Sequence, residues 1–313
     1  MSIEYGGHDL LQKGEAYEKQ SYVPYEYYES VIEPVQGGHQ LARMGRYPEA
    51  LERFYQALGE DSSYVFAHNG LANVYMNLKD YGKAEFHFRK AMQFGPDYAF
   101  PYNNLANLYM SRGDYDEARP LLQKALKLDP NSSYIYYNLG NLYLAEGNTN
   151  LAQSHYLKAL KLRKDFCNAR YNLALTYARQ GQDARVIEEY ERVVKDCPGH
   201  EKAVLNLAAY YAESNEIEKA LILYRQAVVV NPTAKLYLAL GHVYHNEAYF
   251  SREIEAYENA VRLDTSNTEA KYYLALAYYE QDMTFSARRL TRDILEKDPD
   301  NEEAWELLEK LGE

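Results

Sequence analysis

The chain has 313 residues, of which 47% are apolar and 26% charged, with 34 tyrosines, enough apolar mass for a folded core. Its formal net charge of −12 argues against a surface built to hold nucleic-acid phosphates and disfavours anionic lipid, because both need clustered lysine and arginine. No apolar run is long enough to span a bilayer, and the start Met1-Ser2-Ile3-Glu4 lacks the basic and apolar stretches of a secretory leader, so the expectation is a cytoplasmic protein without membrane insertion.

At the front, Asp9 with Gln12 has the spacing of a capping box that opens a short helix. Ala16 lies 34 residues before Ala50, so residues 1–30 read as an arm with a short helix or a degenerate half-repeat. The stretch Tyr22-Val23-Pro24-Tyr25-Glu26-Tyr27-Tyr28 shows no helical stripe and reads as an ordered arm. A first repeat begins at residue 31, where Pro34 and Gly37-Gly38 predict a first helix that is short, shifted or weak.

From there a fixed period governs the chain. Tyr75, Tyr109, Tyr143, Tyr177, Tyr211, Tyr244 and Tyr278 recur 34 residues apart, with a single step of 33. Leu71, Leu105, Leu139, Leu173, Leu207, Leu240 and Leu274 precede them by four, and each leucine is followed by alanine or glycine. A period of this size marks stacked supersecondary units rather than a compact enzyme fold. In the unit from Ala99, Tyr102, Leu105, Ala106 and Tyr109 follow the spacing of one helical face. Gly113-Asp114 breaks it, and Ala118, Leu121, Leu122, Ala125 and Leu128 form a second stripe that Asp129-Pro130 stops. Each unit is therefore predicted to be helix, turn, helix, turn, with alanines that let backbones approach closely.

Two departures follow in chain order. Val186 and Val193 replace both alanines of the second helix in the unit from residue 167, which predicts a slightly wider interface. One residue is missing at Pro232-Thr233, in a turn. After Pro299 the chain is predicted to close with a capping helix over 302–313, with Trp305, Leu308 and Leu311 on its inner side and glutamates outside.

This pattern resembles the tetratricopeptide repeat. In the unit from Val65 the signature places are held by Leu71, Ala72, Tyr75, Ala84, Phe88, Ala91 and Pro96, and in the next by Tyr102, Leu105, Ala106, Tyr109, Ala118, Leu122, Ala125 and Pro130. Units are placed at 31, 65, 99, 133, 167, 201, 234 and 268, so eight repeats span 31–301. The resemblance implies an all-α fold, a right-handed superhelical α-solenoid of helix-turn-helix repeats, whose first helices line a concave peptide-binding surface.

Beside the apolar stripe of the first helices runs a second stripe of Asn69, Asn73, Asn103, Asn104, Asn107, Asn138, Asn141, Asn172 and Asn206. Asn104, Asn138, Asn172 and Asn206 are 34 apart and form a ladder. An amide offers a donor and an acceptor, matching the backbone of an extended ligand without reading its side chains. With first helices about 10 Å apart, four rungs would hold on the order of nine or ten ligand residues. Tyr137 and Tyr171, with Tyr134 and Tyr272, are candidate stacking groups on the same side. The competing reading is structural: amides bonding helix to helix, and tyrosines packed on neighbours. The ladder is similar to that of peptidyl N-acetylglucosamine transferases, but no transferase domain accompanies it here.

A clamp for chaperone C-termini needs lysine and arginine around an asparagine. Asn69 and Asn103 hold the first places instead, Lys202 is the one well-placed base, and Asn206 stands at the arginine place. Glu213, Glu269, Glu280 and Glu303 make the C-terminal part acidic, favouring a ligand with a basic end. His242 and His245 share a helical face, but no third metal ligand is evident, so they read as groove histidines. Cys167 and Cys197 fall at the same end of one helix pair, where a disulfide is conceivable, although free thiols are the commoner outcome without a secretory leader. No catalytic constellation, metal site or cofactor motif is found.

The sequence thus points to a non-enzymatic adaptor or assembly factor that binds an extended peptide or partner protein in its groove. The alternative is a scaffold or self-assembling homo-oligomer that docks through its ends and N-terminal arm.

Overall fold

The computed structural model describes residues 25–312. The capping box at Asp9 and Gln12, Ala16 and the start of the tyrosine-rich stretch lie outside the described residues. Helices joined by short turns make up the rest, and no strand occurs among the described residues.

The first helix corrects the expectation of a stripe-free arm ending near residue 30. An α-helical turn at Tyr25–Tyr27, a π-helical turn at Tyr28–Ile32 and an α-helix at Glu33–Arg43 follow one another directly and together form α1. Pro34 has no N–H to give to the carbonyl of Ser30, and the backbone ahead of it widens into the π turn. Val31, Ile32 and Val35 are buried, and Tyr27 donates its hydroxyl to Asp61 Oδ2 at 2.6 Å. Tertiary burial outweighs the weak propensity of Gly37-Gly38 here.

Second helices follow first helices in strict alternation. After the first helix α1 come α2 (Tyr47–Glu60), α3 (Val65–Asn77), α4 (Tyr81–Phe94), α5 (Ala99–Arg112), α6 (Tyr115–Leu128), α7 (Ser133–Ala145), α8 (Thr149–Leu162) and α9 (Cys167–Arg179), the odd-numbered ones being first helices. Then come α10 (Asp183–Asp196), α11 (Glu201–Glu213), α12 (Ile217–Val230), α13 (Ala234–Asn246), α14 (Phe250–Leu263), α15 (Thr268–Glu280), α16 (Thr284–Lys297) and α17 (Glu302–Lys310). The turn from first to second helix takes one left-handed residue each time. Glycine supplies it at Gly113, Gly147 and Gly181, whereas Lys79, Asn215, Ala248 and Asp282 adopt φ of 61°, 60°, 56° and 59° without that freedom. At the shortened turn, Thr233 caps α13 by accepting from Leu236 N at 3.3 Å.

Two compact units divide the chain, one running to Thr176 and one from Tyr177. In the first, α2, α4 and α6 each pack against the first helix of their own repeat and of the next, α8 packs against α7, and successive first helices α3, α5 and α7 also touch one another. Its core holds Phe54, Leu71, Phe88, Leu105, Leu122 and Leu139, with Ala50, Ala84 and Ala118 fully buried among them. The second unit buries Tyr257, Leu274, Tyr278 and Leu307 around Ala260 and Ala287. Val186 and Val193 are fully buried there. At the end, α17 is capped by Asn301, which accepts from Ala304 N at 3.0 Å. Leu307, Leu308 and Leu311 are buried, but Trp305 is 52% exposed, donating to Pro299 O at 2.9 Å. The inner place expected for Trp305 belongs to Ala304, in keeping with the small residues at the other helix contacts.

Some ring positions dictate glycine. Tyr156 is fully buried, and a Cβ on Gly140 would come within 2.5 Å of its ring. Tyr257 meets Gly241 in the same way in the second unit.

Candidate functional site

In the first unit the asparagine stripe is a hydrogen-bonded network between successive first helices. Asn104 Nδ2 on α5 donates to Asn73 Oδ1 on α3 at 3.1 Å. Asn103 Nδ2 donates to Asn104 Oδ1 at 3.3 Å, and Asn138 Nδ2 on α7 donates to Asn103 Oδ1 at 2.8 Å. A second cluster joins α7 to α9: Asn172 Nδ2 donates to Asn141 Oδ1 at 2.8 Å and to Tyr137 Oη at 3.4 Å, and Tyr156 donates to Asn141 Oδ1 at 2.7 Å. Asn69, Asn103 and Asn138 are buried, while Asn73, Asn104, Asn107, Asn141 and Asn172 are half-buried. Asn69 Oδ1 is enclosed without a hydrogen-bond partner. Neither Asn73 Nδ2 nor the amide of Asn107 is engaged among the described residues.

Bonding to neighbours thus uses part of the stripe. Half-buried amides that keep an unengaged donor are Asn73 on α3, Asn107 on α5 and Asn141 on α7, among the described residues. Asn206, in the second unit, donates to Tyr190 Oη at 2.9 Å. Tyr137 packs on Tyr156 and Phe166 with ring centroids 6.1 and 5.0 Å away, and Tyr134 accepts from Arg163 at 2.5 Å. Tyr171 is half-buried, and Tyr272 meets the ring of Tyr273 edge-on. Lys202 is exposed, as are Glu213, Glu269, Glu280 and Glu303.

Three features escape the periodic reading. His68 and His87 face each other through Nδ1 atoms 3.0 Å apart, both buried. His68 Nε2 must donate to the carbonyl of Ser62 at 3.1 Å, so the neutral pair has its shared proton on His87 Nδ1. Burial, then the charge of His68, holds His87 down to about 4. Lys271 stands at the bulky place held by Tyr102, Tyr136 and Tyr237 in other repeats, is 5% exposed, and pairs with Asp293. The sequence signal for it is a lysine inside the apolar stripe of a first helix.

The third feature corrects the view that His245 lacks neighbours able to share a ligand. Its Nδ1 lies 2.9 Å from Glu253 Oε1 and 3.7 Å from Glu280 Oε2. His242 turns away, bonding Tyr257 Oη through Nδ1 at 3.0 Å. Cys167 and Cys197 likewise depart from the free-thiol expectation, since both are disulfide-bonded. Among the described residues no helix is long and apolar enough to cross a membrane.

No curated protein matches the sequence. Family models described as tetratricopeptide repeat match residues 63–129, 97–165, 137–201 and 247–311. Among solved structures, the yeast Tom70 structure superposes with a TM-score of 0.61 at 20% identity, over 85% of this chain and 58% of that one. Cut9 and Hcn1, as the APC/C hetero-tetramer, give 0.53 at 17% identity over 90% and 55%. The human IFIT1 dimer with m7Gppp-AAAA gives 0.66 at 18% identity over 89% and 70%. The chain spans somewhat over half of the Tom70 and Cut9 structures, and at these identities the likeness is one of fold: an all-α solenoid of helix pairs. The period, the helix-turn-helix alternation and the matched models agree that the chain belongs to the tetratricopeptide repeat family.

Proposed function

We propose that this protein is a non-enzymatic interaction module whose first-helix layer, over α3, α5, α7 and the start of α9, binds an extended segment of a partner protein, as an adaptor or assembly factor in the cytoplasm. The observation that carries this reading is the row of half-buried amides Asn73, Asn104 and Asn107: Asn104 is held by its bonds to Asn73 and Asn103, while Asn73 Nδ2 and the whole amide of Asn107 keep their hydrogen-bonding capacity among the described residues. A wall already held in place leaves mainly the ligand to lose conformational entropy, so length of contact substitutes for a deep pocket. The negative net charge disfavours a nucleic-acid ligand such as the one in the IFIT1 structure.

The test is binding of the full chain to an immobilised library of unbiased peptides, compared with Asn73→Ala/Asn107→Ala. Loss of binding with an unchanged melting curve supports the groove; unchanged binding sinks it. Asn138→Ala is the wrong probe, because Asn138 is buried against Asn103 and its loss acts on stability. Val229 and Phe285 in the second unit, 82% and 79% exposed, favour the alternative of a scaffold that docks onto other copies or machines. Sedimentation showing size rising with concentration would point there.

A further inference from the structure

The second helices repeat one small residue at one place: Ala84, Ala118, Ala152, Ala220 and Ala287, with Val186 as the near exception, all fully buried. In α14 that place holds Glu253, which is 2% exposed. A carboxylate has replaced a methyl at a helix-helix contact, and an isolated buried carboxylate is strongly unfavourable. What it meets is one imidazole and a second carboxylate. His245, in the last turn of α13, lies 2.9 Å from Glu253 Oε1, and Glu280, the last residue of α15, lies 3.7 Å from the same nitrogen. All three donor atoms fall within 4.8 Å of one another. Among the described residues neither carboxylate has a lysine or arginine partner.

One imidazole cannot balance two carboxylates. With both carboxylates ionised the cluster keeps a negative charge whatever the state of the imidazole, and the Glu253 side chain is shut away from water. A divalent cation removes that deficit. The mixed donor set, one imidazole nitrogen and two carboxylate oxygens, suits Zn²⁺ better than Mg²⁺ or Ca²⁺, which favour oxygen alone. Ligand bonds of about 2.0–2.2 Å in tetrahedral geometry require donors roughly 3.2–3.6 Å apart; the two separations from His245 Nδ1, 2.9 and 3.7 Å, bracket that range, and the two carboxylate oxygens, within 4.8 Å of each other, reach it by small side-chain rotations.

We propose that His245, Glu253 and Glu280 form a Zn²⁺ site that ties α13, α14 and α15 together, with a fourth position left to water. Three consecutive helices supply one ligand each, so the ion braces two neighbouring repeats and stabilises them by mass action.

The experiment is calorimetric titration of ZnCl₂ into the tag-free, EDTA-treated full chain, with thermal melting in parallel. The expected result is one ion per chain and a higher melting temperature with Zn²⁺. Glu253→Ala restores the residue that six other repeats carry, Ala50 included, and Glu280→Gln changes an exposed side chain, so both variants should fold. Each is expected to weaken binding at least about ten-fold and to abolish the thermal shift. No binding to the parent, or binding that persists in both variants, overturns the site. If Glu253→Ala melts without cooperativity, Glu280→Gln alone decides.

Discussion

The two units handle buried polar groups in opposite ways on the same repeat. In the first, neutral amides bond across successive first helices, and Asn103 and Asn138 form a buried pair. In the second, charges occupy places that the repeat elsewhere gives to tyrosine or alanine: Lys271 against Asp293, and Glu253 against His245. A neutral amide pair costs little to desolvate and is nearly self-sufficient once bonded. Buried charges stay dependent on a specific partner, and removing that partner strands the survivor. The repeat therefore tolerates either solution, but with different vulnerability.

The sharpest break should come from Asp293→Ala, which strands Lys271 and is expected to cost about 2–3 kcal/mol, below a fully enclosed pair because Asp293 is 39% exposed. Lys271→Tyr, which installs the residue found at Tyr102, Tyr136 and Tyr237, should melt at or above the parent; a fall equal to that of Asp293→Ala would refute the stranded-charge account. Chemical denaturation reads both.

Next, Gly140→Ala should cost about 2 kcal/mol, because its methyl would occupy the ring of Tyr156. Gly241→Ala against Tyr257 should behave alike in the second unit, and a neutral result at either would show that the ring can move aside. A smaller loss, about 1–2 kcal/mol, is expected for Asn138→Ala, which leaves Asn103 Oδ1 short of its donor. The double change Asn103→Ala/Asn138→Ala should cost less than the sum of the two singles, a coupling that a double-mutant cycle measures.

The smallest effect near neutrality is in pH dependence. His87 is held below its usual value, to about 4, so the unfolded chain binds more protons between about pH 6.5 and 4. Its contribution to stability is complete above 6.5 and lost as pH falls towards 4. Glu253 is raised, so its contribution has the opposite sign: complete at acid pH and lost as pH rises through its folded value. His87→Gln should flatten the acid limb, and Glu253→Ala should lift stability at pH 7 relative to pH 4. Denaturation midpoints from pH 4 to 8 check both.

The helices and the burial of their apolar stripes were legible because a 34-residue period repeats the same leucine, alanine and tyrosine at each turn, and each copy corroborates the others. Residues that break the period were hardest to interpret. Tyr25–Ile32 carries weak helical propensity and becomes helical by burying Val31 and Ile32. Glu253 occupies a place that other repeats give to alanine, but its partner His245 is eight residues away and Glu280 a further 27, a relation that only packing brings together.

By itself, then, the sequence determined the repeat, its helix pairs and the small residues at their contacts, because these follow from local periodicity and from the volume available between helices. Tertiary structure alone decided which amide bonds which, that Asn138 spends its donor on Asn103 while Asn107 keeps its own, and that His245 meets two carboxylates. Those outcomes depend on distances of about 3 Å between residues on different helices, where a shift of a single ångström separates a hydrogen bond from none.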